Sequence, residues 1–199
     1  MNKQSLGYTI VFSFIVCFAF VLVLSVTHQA TRDQVQLNQE LRTKRAVLRA
    51  LTIEFQNDEE VLELFAEIET VTRDGMELFR LTQDGETRYA GIFGGAGLWG
   101  PINITLAVDG SVETIIGLDI IDHNETPGLG GRIDERWFQE QFRGLRLVDG
   151  GLQLIRDGNT EGEDGKADAI TGATGTSMSM DRILNQTLRD LRSALGGEA

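Results

Sequence analysis

Three features of this sequence predict an α+β fold: a mostly antiparallel sheet with packed helices, preceded by one transmembrane helix. Residues 6–26 carry no charge and are dense in Ile, Val, Phe and Leu. Asp-Gly pairs then recur at Asp74-Gly75, Asp84-Gly85, Asp109-Gly110, Asp149-Gly150 and Asp157-Gly158, and Asp-Gly between apolar runs is a hairpin signal because both residues tolerate positive φ. Two amphipathic stripes, one over residues 134–142 and one near the C-terminus, supply helices to cover the sheet.

The apolar run has the length that a helix needs to cross roughly 30 Å of hydrocarbon. A cleavable signal peptide needs small residues before the cut, and the exit Ser25-Val26-Thr27-His28-Gln29-Ala30 offers no such site. The lone Cys17 lies inside the run, where it reads as a lipid-facing or packed apolar residue. It cannot form an internal disulfide, a thiolate metal cluster or a CxxC pair. Residues 1–28 are therefore expected to form an uncleaved anchor in lipid. The chain has 199 residues, 30 Asp and Glu against 18 Lys and Arg, and a formal net charge of -12. That balance excludes nucleic acid as a partner, because binding to a phosphate backbone depends on Lys and Arg displacing counterions. All 30 acids follow the span, which is compatible with export of the remainder. The charges near the anchor (Lys3 on one side; Arg32, Arg42, Lys44 and Arg45 on the other) do not by themselves settle its orientation.

Residues 29–70 are expected to form a helical stalk and the entry to the domain. Val35, Leu37, Leu41, Ala46, Val47, Leu48 and Leu51 give a helical period, and a second helix is predicted over 58–69 with Val61, Leu62, Leu64, Phe65 and Ile68 as its apolar set. Strands are predicted over 76–81, 87–93, 102–108, 112–121, 145–148 and 151–155, the strongest hairpin being 102–108 against 112–121. In the helix over 134–142, Trp137, Phe138 and Phe142 read as core. In the last helix, beginning near Met178, Met180, Ile183, Leu184, Leu188, Leu191 and Leu195 form the buried stripe.

Four motifs bear on chemistry. Gly95-Ala96-Gly97-Leu98-Trp99-Gly100 matches G-x-G-x-x-G, yet a dinucleotide site needs a helix to follow, and Pro101-Ile102-Asn103-Ile104 reads as a strand. Asp157-x-Asn159-x-Glu161-Gly162 with Asp168 approximates a Ca²⁺ loop, but it has no entering helix and ends on Asp rather than Glu, so an acidic Gly-rich loop is expected. His28 and His123 lack metal-site spacing, and no metal site is predicted. His123 opens a polar loop, Asp122 to Gly131, at a strand exit where ligand contacts are often placed. Finally, Asp168-Ala169-Ile170-Thr171-Gly172-Ala173-Thr174-Gly175-Thr176-Ser177 runs directly into a helix. One hydroxyl, from Ser177 or Ser179, would suffice as an N-cap, yet four precede Met178. Spare hydroxyls beside the positive end of a helix suggest a phosphate partner.

Asp168-x-x-Thr171-Gly172-Ala173-Thr174 resembles the flavinylation motif in which the final Thr carries FMN through a phosphoester bond, and Glu125-Thr126-Pro127-Gly128-Leu129-Gly130-Gly131 resembles the second signature of the same family. That family comprises the FMN-binding subunits of two membrane complexes, the sodium-translocating NADH:quinone oxidoreductase (its C subunit) and the Rnf ferredoxin:NAD oxidoreductase (its G subunit). Gly97-Leu98-Trp99 looks more like the quinone-reductase branch, whereas the chain is short for that branch, and both stay open.

The resemblance implies that residues 71–199 form a covalent FMN-binding domain with Thr174 as the tether. Asp168, Thr171, Gly172 and Ala173 would belong to the attachment motif, read by a separate Mg²⁺-dependent flavin transferase that uses FAD as donor. Glu125, Thr126, Gly128 and Leu129 would line the isoalloxazine, with Leu98 and Trp99 covering another side. The implied function is electron relay between other subunits of a redox-driven ion-translocating complex, with no complete active site and no catalytic residue on this chain alone. The implied place is the bacterial inner membrane, with the flavin domain on the periplasmic side. Two readings stand beside it: a membrane-anchored, non-redox binding module whose acidic loop takes Ca²⁺ or a protein, and a flavoprotein binding FMN noncovalently at the same helix terminus.

Overall fold

The computed structural model describes residues 6–83, 85–156 and 158–196. The chain divides after Glu40 into two compact units. The division falls inside α1 (Leu6–Ala50), a single helix of 45 residues. Its first part is long and apolar enough to cross a membrane, and its apolar side chains and Cys17 are exposed.

In the second unit, α1 ends by burying Leu41, Ala46, Val47, Leu48 and Ala50. Thr52 takes φ 63, while Ile53 N–H donates to Leu48 O at 2.8 Å and Thr52 N–H to Arg49 O at 2.9 Å. This is a Schellman closure with a threonine where glycine is preferred. α2 (Asp58–Ala66) is capped by Asn57, whose side chain accepts from Glu60 N–H, while the Glu60 carboxylate accepts from Gln56 N–H.

A six-stranded antiparallel sheet follows in sequence order: β1 (Glu69–Arg73), β2 (Met76–Gln83), β3 (Glu86–Ala96), β4 (Pro101–Asp109), β5 (Thr114–Asp122) and β6 (Leu145–Arg146). Alternation assigns its two faces to two cores. Leu78, Tyr89, Leu106 and Leu118 pack in one cluster with α4 (Thr174–Leu195) and with Phe138 and Phe142 of the α3 region (α3, Arg136–Glu140). Their neighbours Phe79, Ala90 and Ala107 pack in the other with Val47, Leu48, Leu51 and Val61. Gly117 is required where α1 ends, since a Cβ there would meet Ala50 O at 2.5 Å.

The α+β architecture, the antiparallel sheet and the buried stripe of α4 agree with the sequence reading. The differences are local. Asp74 (φ 48) and Gly75 (φ 79) form a tight turn, and so do Asp149 (φ 50) and Gly150 (φ 80). Between β4 and β5, however, the left-handed residue is Val112 (φ 54), because Asp109 accepts from Glu113 N–H and Thr114 N–H and draws the chain into a longer loop. β5 therefore starts two residues later than expected. Asp84 and Asp157 lie outside the described residues.

The strands expected to pair around Asp149-Gly150 meet only in the antiparallel bridge Val148–Gly151 and separate beyond it. β6 joins the large sheet, whereas β7 (Gln153–Ile155) pairs in parallel with β8 (Lys166–Asp168), because Gly165 donates to Arg146 O and accepts from Gln153 N–H. β1 was not anticipated, and α2 stops three residues before the expected end. The helix expected over 134–142 is a 3₁₀ turn (Gly130–Asp134) followed by the single turn of α3. Trp137 is 40% exposed rather than core, since it adjoins buried Phe138 and cannot share its face; Arg132 stacks over its ring at 5.2 Å.

Candidate functional site

The start of α4 is the hub of the site. Gly172 (φ 82) and Ala173 turn the chain from β8 into the helix, and Ala173 N–H donates to Ile170 O at 3.0 Å. The helix begins at Thr174, four residues before the expected Met178. Neither Ser177 nor Ser179 is its N-cap. Ala173 holds that position without a side-chain bond, while buried Ser177 accepts from Ile170 N–H and donates to Ala173 O, both at 3.0 Å. Thr174 is thus the first helical residue. It is exposed, and its Oγ1 accepts from Arg156 Nη2 at 2.6 Å. Helix geometry leaves first-turn N–H groups without intrahelical partners, so a guanidinium, free amides and a hydroxyl converge at one point. That combination suits a phosphate ester.

Glu125 ties the surrounding loops to the same point. It is 4% exposed, its Oε1 accepts from Leu98 N–H (2.7 Å) and Trp99 N–H (3.1 Å), and its Oε2 accepts from Thr176 Oγ1 (2.5 Å). Burial alone would raise its pKa. The bonds from Thr176, Trp99 and Leu98, with His123 nearby, outweigh burial and hold the carboxyl below its ordinary value. The approach needs glycines. A Cβ on Gly97 would lie 2.5 Å from Glu125 Oε1, and one on Gly130 would lie 2.2 Å from Thr176 Oγ1. Leu98 rests on the Gly175 position of α4 and Leu129 lies beside Gly172, on the helix start next to Thr174. Both leucines are about half exposed and Trp99 more so, which leaves an apolar shelf beside the hydroxyl.

On its other side, Thr174 lines a cavity of about 1050 Å³ between β7 and α4, with Arg156, Ile155, Gly172, Met178 and Arg182. Thr126 contributes through its backbone: its carbonyl accepts from Leu129 N–H and Gly131 N–H, with Gly128 (φ 74) at the bend. Asp168 serves the acidic loop, where its Oδ1 accepts from Thr160 N–H (3.1 Å) and Oγ1 (2.7 Å); its backbone is clasped by the Gln141 side chain. Thr171 is exposed and lines a cavity of about 240 Å³ with Asp168 and Arg132. Among the described residues, no cluster of His, Cys, Asp and Glu is arranged to hold a metal ion. The G-x-G-x-x-G segment is a turn closed by Gly97 N–H to Gly100 O at 2.7 Å, and β4 follows it.

Residues 97–189 match the family model for the FMN-binding domain. Over that span the chain is similar to the FMN-binding domain. Its curated relatives include the C subunit of the Na(+)-translocating NADH-quinone reductase of Yersinia pestis, 32% identical over 95 residues (46% of this chain, 36% of the relative). The same subunit of Pseudomonas aeruginosa is 34% identical over 99 residues (46% of this chain, 38% of the relative). The chain thus spans under two fifths of the length of these relatives. Among solved structures, the C subunit from Parabacteroides distasonis superimposes with a TM-score of 0.69 at 25% identity, covering 81% of this chain and 95% of that one. The Shewanella oneidensis NqrC structure shares the fold, with a TM-score of 0.66 at 21% identity over 78% of this chain and 99% of that one.

The fold gathers Thr174, Gly172, Ala173, Glu125, Leu129, Leu98 and Trp99 from segments far apart in sequence. Sequence reasoning missed Arg156 and Thr176. Arg156 is a single arginine after a three-residue strand and carries no pattern. Thr176 was counted only as a spare hydroxyl, and its partner 51 residues away is set by the fold.

Proposed function

We propose that this chain is a membrane-anchored electron-transfer subunit that carries FMN covalently on Thr174 in a redox-driven ion-translocating complex of the sodium-translocating NADH:quinone oxidoreductase type. The observation that carries this reading is the exposed Thr174 hydroxyl at the first position of α4, with Arg156 Nη2 at 2.6 Å. Attachment joins Thr174 Oγ1 to the phosphorus of the FMN unit; the hydroxyl proton leaves, and the pyrophosphate bond of an FAD donor breaks with departure of AMP. A separate transferase performs this step.

Bound FMN supplies the redox chemistry. The chain's own residues do the rest. Arg156 and the first-turn amides of α4 offset the charge of the phosphodiester. Leu98, Trp99 and Leu129 offer apolar surface to the ring, and Glu125 fixes the turn carrying the first two. The fit is supported by Gly97 and Gly130, where any Cβ would close the space that Glu125 and Thr176 occupy. α1 anchors the subunit in the bacterial inner membrane in contact with lipid. The flavin lies on the periplasmic side, where a covalent tether prevents its loss by dilution, and electrons pass between neighbouring subunits.

The test is intact-protein mass and in-gel flavin fluorescence after denaturation, on protein made with an exported flavin transferase. Wild type is expected to gain one FMN unit and fluoresce, and Thr174→Val to do neither. An unmodified wild type beside a modified control substrate would overturn the tether and return weight to a noncovalent site or a non-redox binding module.

A further inference from the structure

The loop carrying Glu125 is itself held by a histidine. His123 follows the last residue of β5, and its ring is largely covered, with 12% of the side chain exposed. Nδ1 accepts the Glu125 backbone N–H at 2.9 Å, and Nε2 lies 2.9 Å from Asp134 Oδ2 at the end of the 3₁₀ turn. These two contacts fix the tautomer. A nitrogen that accepts an amide proton has a free lone pair, so the neutral ring carries its proton on Nε2 and donates it to Asp134.

The ring therefore sits at one end of a continuous chain of bonds. Asp134 orients His123, His123 holds the Glu125 amide, and the Glu125 carboxylate holds the Leu98 and Trp99 amides and the Thr176 hydroxyl. The charged groups around it are Glu125 on its own loop, Asp134 on the 3₁₀ turn and, beyond Asp134, buried Asp119 of β5 with Arg49 of α1 at 3.7 Å. Asp122 is engaged by Asn103 Nδ2 at 2.8 Å. Arg136 and Arg143 share a cavity with Asp119 and Asp134.

We propose that His123, oriented by Asp134, is a positioning residue for the flavin-facing wall: its ring places Glu125 and hence the Leu98-Trp99 turn. The inference rests on the reading that FMN lies against Leu98, Trp99 and Leu129. It makes the flavin's surroundings depend on the contact between the His123 ring and the Glu125 amide.

The test follows amide hydrogen exchange at Leu98, Trp99 and Glu125 in the full chain in detergent micelles, carrying its FMN, at neutral pH. Flavin absorbance is recorded on the same samples. His123→Leu, which removes the acceptor, is expected to lose about tenfold protection at these three amides while amides in the middle of β4 are unaffected. His123→Asn, whose Oδ1 takes the place of Nδ1, keeps the wild-type protection. The flavin spectrum should change in His123→Leu and be restored in His123→Asn.

Protection lost equally in His123→Asn and His123→Leu, or unchanged protection in His123→Leu, would overturn the role of His123. If the spectrum responds to Glu125→Gln but to no His123 variant, this inference alone fails. If the amides follow His123 while the spectrum ignores both His123 and Glu125 variants, the placement of the flavin on this wall fails with it.

Discussion

Asp119 stands on β5 with 4% of its surface exposed, at the edge of a cavity of about 530 Å³. Burial pushes its carboxyl up from 3.8 to about 6; Arg49, at 3.7 Å, and the Ile120 N–H offset this only in part, and Asp134 adds to it. Directly opposite in the ladder is Thr105, whose buried hydroxyl oxygen has no hydrogen-bond partner. The folded chain therefore holds the Asp119 proton more tightly than the unfolded chain. Its contribution to stability is fully present below about pH 4 and is lost as pH rises through about 6. A shift of roughly two units corresponds to about 3 kcal/mol.

Asp119→Asn is neutral at every pH and keeps an acceptor for the Ile120 amide. Urea unfolding of wild type and variant in detergent, from about pH 4 to 8, should give curves that lie close together at the acid end. They should diverge between about pH 4 and 6, with the variant more stable by about 2 to 3 kcal/mol above pH 7. Carboxyl ¹³C shifts of Asp119 should titrate near 6 in the folded chain. Parallel stability curves, or titration near 4, would refute the argument, because the carboxylate would then be solvated or fully paired despite its burial.

Two further outcomes test the local geometry. Thr52→Gly should stabilise the second unit by about 1 kcal/mol, since glycine takes the left-handed position at the end of α1 without strain; the variant gives up the local Thr52 Oγ1 bond to Leu51 O at 2.6 Å and the 3.3 Å contact from Arg88, and thermal melting with a lower midpoint would contradict this. Glu125→Ala leaves the Leu98 and Trp99 amides and the Thr176 hydroxyl without their acceptor, at a cost of about 3 kcal/mol at pH 7 in urea unfolding. Because the Glu125 carboxyl is held below its ordinary value, its contribution is present at neutral pH and is lost as pH falls through that lowered value. The gap between wild type and Glu125→Ala should therefore narrow in acid, and a gap independent of pH would show that the charge does not matter.

What was legible in the sequence and what was not divides along a physical line. Hydrophobic periodicity needs no tertiary information, so the long apolar helix, the sheet strands and the α4 stripe could be read directly. Asp74-Gly75 and Asp149-Gly150 take the expected turns because nothing competes for their backbone. At Asp109-Gly110 the aspartate's own carboxylate captures two amides further on, and side-chain capture of this kind is invisible to a dipeptide rule. The site divides in the same way. The stretch before α4 is conspicuous because hydroxyls and glycines lie contiguously ahead of a helix, and the resemblance of Asp168-x-x-Thr171-Gly172-Ala173-Thr174 to the flavinylation motif singles out Thr174 within it. Arg156, Thr176 and Asp134 acquire meaning only through partners at a distance: Arg156 reaches Thr174 because a short parallel strand pair ends beside α4, and Asp134 reaches His123 because a 3₁₀ turn folds back on the end of β5. The residues proposed to bear the attachment are local in sequence, while those that set the electrostatics around Thr174 are brought in by topology. If the proposed tether is right, substitutions in the second group should change the flavin's environment while leaving the attachment intact.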